Sequence, residues 1–296
     1  MHAGESCPAR RERIATKILV MTTAIRSIVH PTDFSDLSAA AFAHALRIAL
    51  AARSKLHLLH VSQYDLDEAL AFPHARQLLV QWGLTEVDDP PWAISSKLGI
   101  EVDNIRLALQ EPTRAIVDFL REHTSDLVVL ATHGRDGVEH WLKGSVAEGV
   151  FRRSAVPTLF IGPGARGFVG QINGDLQLRR ALVPVDFSPP AEQALDAIQR
   201  FATLLTGANI AIDLLHVGHS APPIATRRSN GHALPPVILR SGNVVQAIVD
   251  AAIEFDVDCI GMPTAGHHGV LDALRGSTTE RVIRHAPCPV LALPIA

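Results

Sequence analysis

The chain has 296 residues, enough for two hydrophobic cores at roughly 150 residues per domain, and its 47% hydrophobic and 19% charged composition excludes extensive disorder. Lys plus Arg at 27 against Asp plus Glu at 30 gives a net charge of -3, which provides no basic field for nucleic acid or an anionic membrane, so neither is expected as a partner. Cys7, Cys259 and Cys288 are too few and too scattered for a disulfide framework or a zinc site, and point to a reducing, cytoplasmic compartment.

In chain order, residues 1–24 carry Arg10, Arg11, Arg13 and Lys17 before an apolar run, Ile18 to Met21, too short for a signal-peptide core or a membrane span. They read as a flexible arm, or as the product of a start codon placed too far upstream. Ser27 to Pro31 follows as a first strand. A helix then has its N-cap at Ser35 and carries Phe42, Ala45, Leu46 and Ala49 at helical spacing. Leu56 to Val61 is a second strand, and Ala69 to Trp82 a helical stretch interrupted or started by Pro73. Val102 to Leu107 reads as a strand, Thr113 to Glu122 as a helix, and Leu127 to Ala131 as a strand buried on both faces. A helix from Ser145 and a short strand, Thr158 to Ile161, close the unit.

The same unit then recurs. Val29 to Ser35 pairs with Leu182 to Ser188, an offset of 153 (Asp33 to Asp186), and Leu58 to Val61 pairs with Leu214 to Val217. Gly144-Ser145 pairs with Gly276-Ser277, an offset of 132, so the second copy is shorter by about 24 residues in one interval. That interval holds Pro222, Pro223, Pro235 and Pro236, and is expected to replace a helix by a loop. The second copy's first helix has Ser188 as N-cap, Pro189 at its first position, and Leu195, Ile198, Ala202 and Leu205 on one face. Strands alternating with helices predict a parallel α/β sheet in each copy. The expected domains are 25–162 and 179–296, joined by a glycine-rich, flexible connector at 163–178.

The most informative constellation is Ala131-Thr132-His133-Gly134 and, nine residues after the glycine, Gly144-Ser145, running from a strand end to a helix start. Small residues there let backbone N–H groups approach phosphate oxygens beside a helix N-terminus. The competing reading is a capping box, Ser145 with Glu148 and Ser277 with Glu280, with Gly134 shaping a turn. Asp33 and Asp186 end the first strands, where a carboxylate either bonds a ribose hydroxyl, holds magnesium, or simply forms the turn. His60 and His216 sit in apolar strands and read as hydrogen-bonded core residues before ligands. The His267-His268 pair has no third ligand in view for a metal. The stretch Gly162-Pro163-Gly164-Ala165-Arg166-Gly167 spells a dinucleotide fingerprint but opens no helix, and neither a P-loop nor a nucleophile elbow is present.

Together, Pro31-Thr32-Asp33-Phe34-Ser35, Leu59-His60-Val61, Asp126 to Gly134 and Gly144 to Glu148 resemble the universal stress protein family, in both copies. The resemblance implies two Rossmann-like, adenine nucleotide α hydrolase-like domains, each a five-stranded parallel sheet of order 3-2-1-4-5 flanked by helices. It implies ATP in the first copy, with magnesium near Asp33, lined by Pro31, Thr32, Asp33 and Val61, with Ala131, Thr132, His133, Gly134 and Arg135 over the phosphates. Gly144, Ser145, Val146 and Ala147 would present a helix N-terminus to them. Ala131 replaces the family's first glycine. In the second copy Asp186, Val217, Gly266, Gly276 and Ser277 form a weaker second site, because Pro263 stands at that glycine.

The expected function is an ATP-binding stress-response regulator, not an enzyme beyond slow ATP hydrolysis. The rival is a nucleotide-free interaction scaffold. An adenylyl-transferring enzyme would need an S-G-G-x-x-S loop or an H-x-G-H turn, and neither occurs. The resemblance further implies that the last strands, Thr158 to Ile161 and Val290 to Ala292, pair within one chain or between the chains of a homodimer.

Overall fold

The computed structural model describes residues 24–62, 75–90, 92–108, 111–132, 146–188, 191–224, 234–265 and 278–295. The first module runs β1 (Ser27–Pro31), α1 (Asp36–Ala52), β2 (Lys55–Ser62), α2 (Ala75–Gln81), α3 (Ala93–Leu98), β3 (Glu101–Ala108), α4 (Pro112–Glu122), β4 (Leu127–Ala131), α5 (Val146–Ser154) and β5 (Thr158–Ile161). The second runs β6 (Arg180–Pro184), α6 (Ala191–Thr206), β7 (Ala211–Val217), β8 (Val237–Arg240), α7 (Val244–Glu254), β9 (Cys259–Ala265), α8 (Thr278–His285) and β10 (Val290–Ile295). Each module has the expected 3-2-1-4-5 order with parallel pairing.

Local signals account for most boundaries. The Ser35 side chain accepts a hydrogen bond from the Ser38 N–H and starts α1. Helix α4 starts with Pro112 at its first position and is capped by the Glu111 carboxylate, which accepts from the Thr113 and Arg114 N–H groups. The first turn of the stretch expected at 69–82 lies outside the described residues; α2 occupies its C-terminal part. Helix α3 was not anticipated, and it stops at Gly99, whose φ of +68° suits a left-handed cap. Between β7 and β8 the described residues contain no helix. Residues Ser188 and Pro189 were expected to start α6, which begins at Ala191; Pro189 lies outside the described residues.

Side chains alternate across the central strands. Ile28, Leu127, Val129, Leu159, Ile161 and Leu291 face the layer of α1 and α6, while Val29, Val128, Leu130, Phe160, Val290 and Ala292 face the layer of α4, α5, α7 and α8. Both apolar layers continue across the two modules, because β5 and β10 pair antiparallel, Leu159 opposite Leu291 and Phe160 opposite Val290, into one ten-stranded sheet. Neither of these hydrophobic strands is left as an edge. The edges are β3, guarded by Glu101, Asp103 and Arg106 with Lys55 bridging both carboxylates, and the four-residue β8.

The connector is packed, in contrast to the flexible tether expected from its glycines. Phe168 and Val169 are buried, and Val169 bridges Leu176 in a short hairpin. Trp82 donates its indole N–H to the Gln171 carbonyl at 3.1 Å, and Arg47 donates to the Gly174 carbonyl at 3.1 Å. Gly174 has φ +70°, and a Cβ there would lie 2.6 Å from the Trp82 ring, so that glycine is required for the approach. Phe168 sits between His44 of the first module and Phe201 of the second, at 4.7 and 6.3 Å between centroids.

Two aspartates staple the first strand of each module at equivalent positions. One Asp126 carboxylate oxygen accepts from the Arg26 and Ser27 N–H groups at 2.7 and 3.0 Å. Its counterpart in Asp258 accepts from Arg179 and Arg180 at 2.7 and 3.0 Å, and Asp258 also holds the Arg166 guanidinium of the connector at 3.2 Å. Removing either carboxylate strands two backbone donors, so Asp126→Ala is expected to cost about 2 kcal/mol. Urea unfolding should show a larger loss for Asp258→Ala, which also frees Arg166; equal losses would mean that the Arg166 contact contributes nothing.

Candidate functional site

In the 3-2-1-4-5 order the chain reverses direction of winding between β1 and β4, and the crevice beyond their C-terminal ends is where such sheets bind ligands. Pro31 ends β1 and Ala131 ends β4, so the fold brings Pro31, Thr32, Asp33, Ala131 and Thr132 to one crevice mouth. Val61 lies on β2 two residues beyond the last β1–β2 pair, Pro31 with Leu59. Val146 opens α5, and Ala147 packs its side chain into the core. His133, Gly134, Arg135, Gly144 and Ser145 lie outside the described residues, as do Gly266, Gly276, Ser277 and the His267-His268 pair.

The 32–35 turn is tightly bonded. The Thr32 N–H donates to the Leu59 carbonyl at 2.8 Å, extending the ladder by one step. The Thr32 carbonyl accepts from His60 Nδ1 at 2.8 Å. Since a carbonyl only accepts, His60 carries its proton on Nδ1, and it is the hydrogen-bonded strand histidine that its apolar flanks suggested. His216 does the same for the Val185 carbonyl at 2.9 Å. Asp33 Oδ1 accepts from both the Ser35 N–H and the Ser35 hydroxyl, at 3.0 and 2.7 Å, which fixes the carboxylate at the crevice. Phe34 adopts φ +63° and packs its ring against His60, tilted by 36° with 4.3 Å between centroids. Across the crevice Thr132 is buried, its N–H donating to the Ile161 carbonyl at 3.1 Å.

Beneath the turn lies a residue that sequence reading passed over. His30 is fully buried, donates from Nδ1 to the Val129 carbonyl at 2.9 Å, and has its pKa lowered by desolvation to about 4, so it is neutral at pH 7.

The second crevice is built differently. Asp186 is largely exposed and accepts from the Phe187 N–H at 2.8 Å. Val217 ends β7, and β9 continues as strand through Pro263 to Ala265, paired with β10, where β4 has already ended at the position equivalent to Pro263. Glu148 and Glu280 form i,i+4 ion pairs with Arg152 and Arg284, while Ser145 and Ser277, their partners in the capping-box reading, lie outside the described residues. Among the described residues no group of three His, Cys, Asp or Glu side chains is arranged for a metal ion, and no helix is long and apolar enough to cross a membrane. Cys259 and Cys288 are buried free thiols, and burial pushes the Cys259 pKa up to about 12, so neither is an activated nucleophile.

A switch-point crevice built twice in one chain, with the two sheets merged through their last strands, defines a tandem Rossmann-like α/β protein. The model of the Universal stress protein family matches residues 24–162 and 224–294, and the chain belongs to that family. A universal stress protein of Methanocaldococcus jannaschii is 29% identical over 161 residues, which is 50% of this chain and 92% of that protein. The crystal structure of a universal stress protein from Archaeoglobus fulgidus superposes with a TM-score of 0.61 at 23% identity, covering 90% of this chain and 96% of that one. A structure from Pseudomonas aeruginosa, a putative universal stress protein, gives a TM-score of 0.60 at 17% identity over 93% and 95% of the two chains.

Proposed function

We propose that this protein is a nucleotide-responsive regulator whose first module binds ATP and whose second module is chiefly a scaffold. The observation that carries the reading is the asymmetry of the two crevices. In the first, Asp33 is fixed by Ser35 beside the ends of β1 and β4, and β4 ends at Ala131, ahead of the Gly134, Gly144, Ser145 spacing in the sequence. Backbone N–H groups of that segment and the α5 N-terminus would hold the phosphates, Pro31 and Val61 would take the adenosine half, and Asp33 would help to hold magnesium, which would supply charge neutralisation to the phosphates. In the second, Pro263 stays within a strand and removes one N–H from the equivalent position. The reading is one of binding, with slow ATP hydrolysis at most.

Calorimetric titration of ATP into full-length protein stripped of carried-over nucleotide tests this. One ATP per chain is expected, abolished by Gly144→Val and retained by Gly276→Val. Two per chain would make the second module a full site. No heat up to millimolar ATP from the folded protein would leave the rival reading, a nucleotide-free scaffold organised by the β5–β10 pairing.

A further inference from the structure

The two modules carry the same tripeptide, Asp33-Phe34-Ser35 and Asp186-Phe187-Ser188, at the end of their first strand, yet fold it in two ways. In the first module the Phe34 N–H donates to the Thr32 hydroxyl at 3.1 Å, and Phe34 is left-handed and laid over His60. In the second, residue 185 is valine, which has no acceptor to offer. The Phe187 N–H turns to the Asp186 carboxylate, and the Phe187 ring stands edge-on to His216 at 5.6 Å, 61% exposed.

The Thr32 hydroxyl does not act alone. Ser38 on α1 donates its hydroxyl proton to Thr32 Oγ1 at 2.9 Å. His30 stands behind Ser38 with Nε2 at 3.5 Å from the serine oxygen, and its Nδ1–H is held by Val129 on β4. Because Nδ1 carries the proton, Nε2 holds only a lone pair, and with the single Ser38 hydroxyl proton given to Thr32 the 3.5 Å approach is a packing contact and not a hydrogen bond. All three side chains are buried. At the matching positions of the second module stand Val183, Val185 and Ala191, equally buried and wholly apolar. The fold therefore closes without this network, and a buried polar network in place of a packed apolar cluster contributes little or nothing to stability.

Its geometry gives it another use, and we propose that Ser38 is a positioning residue which, through the Thr32 hydroxyl, holds the first module's turn in the conformation that aims Asp33 at a nucleotide. The second module's apolar trio releases the same tripeptide and leaves Asp186 unaimed. This rests on the nucleotide reading above, and deepens it by naming what makes one copy the ligand-binding copy.

The test uses full-length protein with Thr32→Val, Ser38→Ala and Thr32→Ser, followed by two measurements. Amide hydrogen exchange at Phe34, without nucleotide, reads the turn directly; calorimetry reads ATP affinity. Thr32→Val and Ser38→Ala are expected to speed Phe34 exchange and to weaken ATP by roughly tenfold, the worth of one well-placed hydrogen bond. Thr32→Ser, which keeps the hydroxyl, should restore both. If the wild type binds ATP and Thr32→Val matches it in affinity or in Phe34 exchange, this inference is overturned and the nucleotide reading stands. A wild type that takes no ATP overturns the nucleotide reading and the positioning role with it, while the Phe34 exchange rates still decide whether the network sets the turn. Should Thr32→Val fail to fold, the comparison of Ser38→Ala with Thr32→Ser decides the same question.

Discussion

Acidification from pH 7 to pH 4.5 is expected to remove about 5 kcal/mol of folding stability through two histidines alone, His30 and His44. Both are buried with one ring nitrogen bonded to a backbone carbonyl, Val129 for His30 and Ala40 for His44, and burial lowers both pKa values from 6.5 to about 4. The sign follows from where the proton sits. A histidine held neutral in the fold takes up its proton on unfolding, so the unfolded state binds more protons between pH 6.5 and 4. The contribution is complete above pH 6.5 and is lost as pH falls toward 4. His57, also lowered by burial, adds to the loss in the same direction.

His44 is the more informative of the pair, because its Nε2 is buried without a hydrogen-bond partner and faces Gly167 of the connector, where a Cβ would stand 2.9 Å away. His44→Phe keeps the edge-to-face packing against Phe168 and deletes the titrating group. Urea unfolding at half-unit steps of pH should show the acid slope reduced by about one proton in that variant. An unchanged slope would mean that His44 does not titrate on unfolding.

The second large effect is expected at Gly261 in β9. A Cβ at that position would lie 1.9 Å from Ile198 Cδ1 and 2.8 Å from Ile198 Cγ1, both on α6, so Gly261→Val overpacks the core by about 3 kcal/mol. The first module carries the reciprocal pair, Val129 on β4 and Ala45 on α1, at the equivalent positions. Bulk has moved from strand to helix between the copies, at nearly constant volume. Gly261→Val combined with Ile198→Ala recreates the first module's arrangement and should recover most of the loss. A double-mutant cycle with no coupling between the two sites would refute the exchange.

That exchange illustrates how much was readable beforehand. The periodicity of Phe42, Ala45, Leu46 and Ala49 against Leu195, Ile198, Ala202 and Leu205 identifies two equivalent helices, since helical spacing is a local property. It does not say that Ile198 needs a glycine opposite, which depends on a strand more than sixty residues later. The same holds at the crevice. Thr32, Asp33, Ala131 and Thr132 are legible from spacing and resemblance, whereas His30 and Ser38 carry no motif. One signal for them was available: aligned at the repeat offset, His30, Thr32 and Ser38 change to Val183, Val185 and Ala191, a coordinated shift from polar to apolar at positions whose burial the strand and helix patterns already imply.

By itself the sequence determined two copies of a βα unit, the interval in which the second is shorter, the cap at Ser35, and the position of the crevice residues along the chain. Each depends on neighbours a few residues apart or on self-similarity. Tertiary structure alone decided the merging of two sheets through β5 and β10, the clamping of the connector by Trp82, Phe168 and Arg166, and the two conformations of one Asp-Phe-Ser tripeptide. The first two depend on which groups meet across tens of residues of chain or more; in the third, the Phe34 N–H finds a hydroxyl at Thr32 where the second module has Val185, and that hydroxyl is met in turn by Ser38 from the packed helix α1.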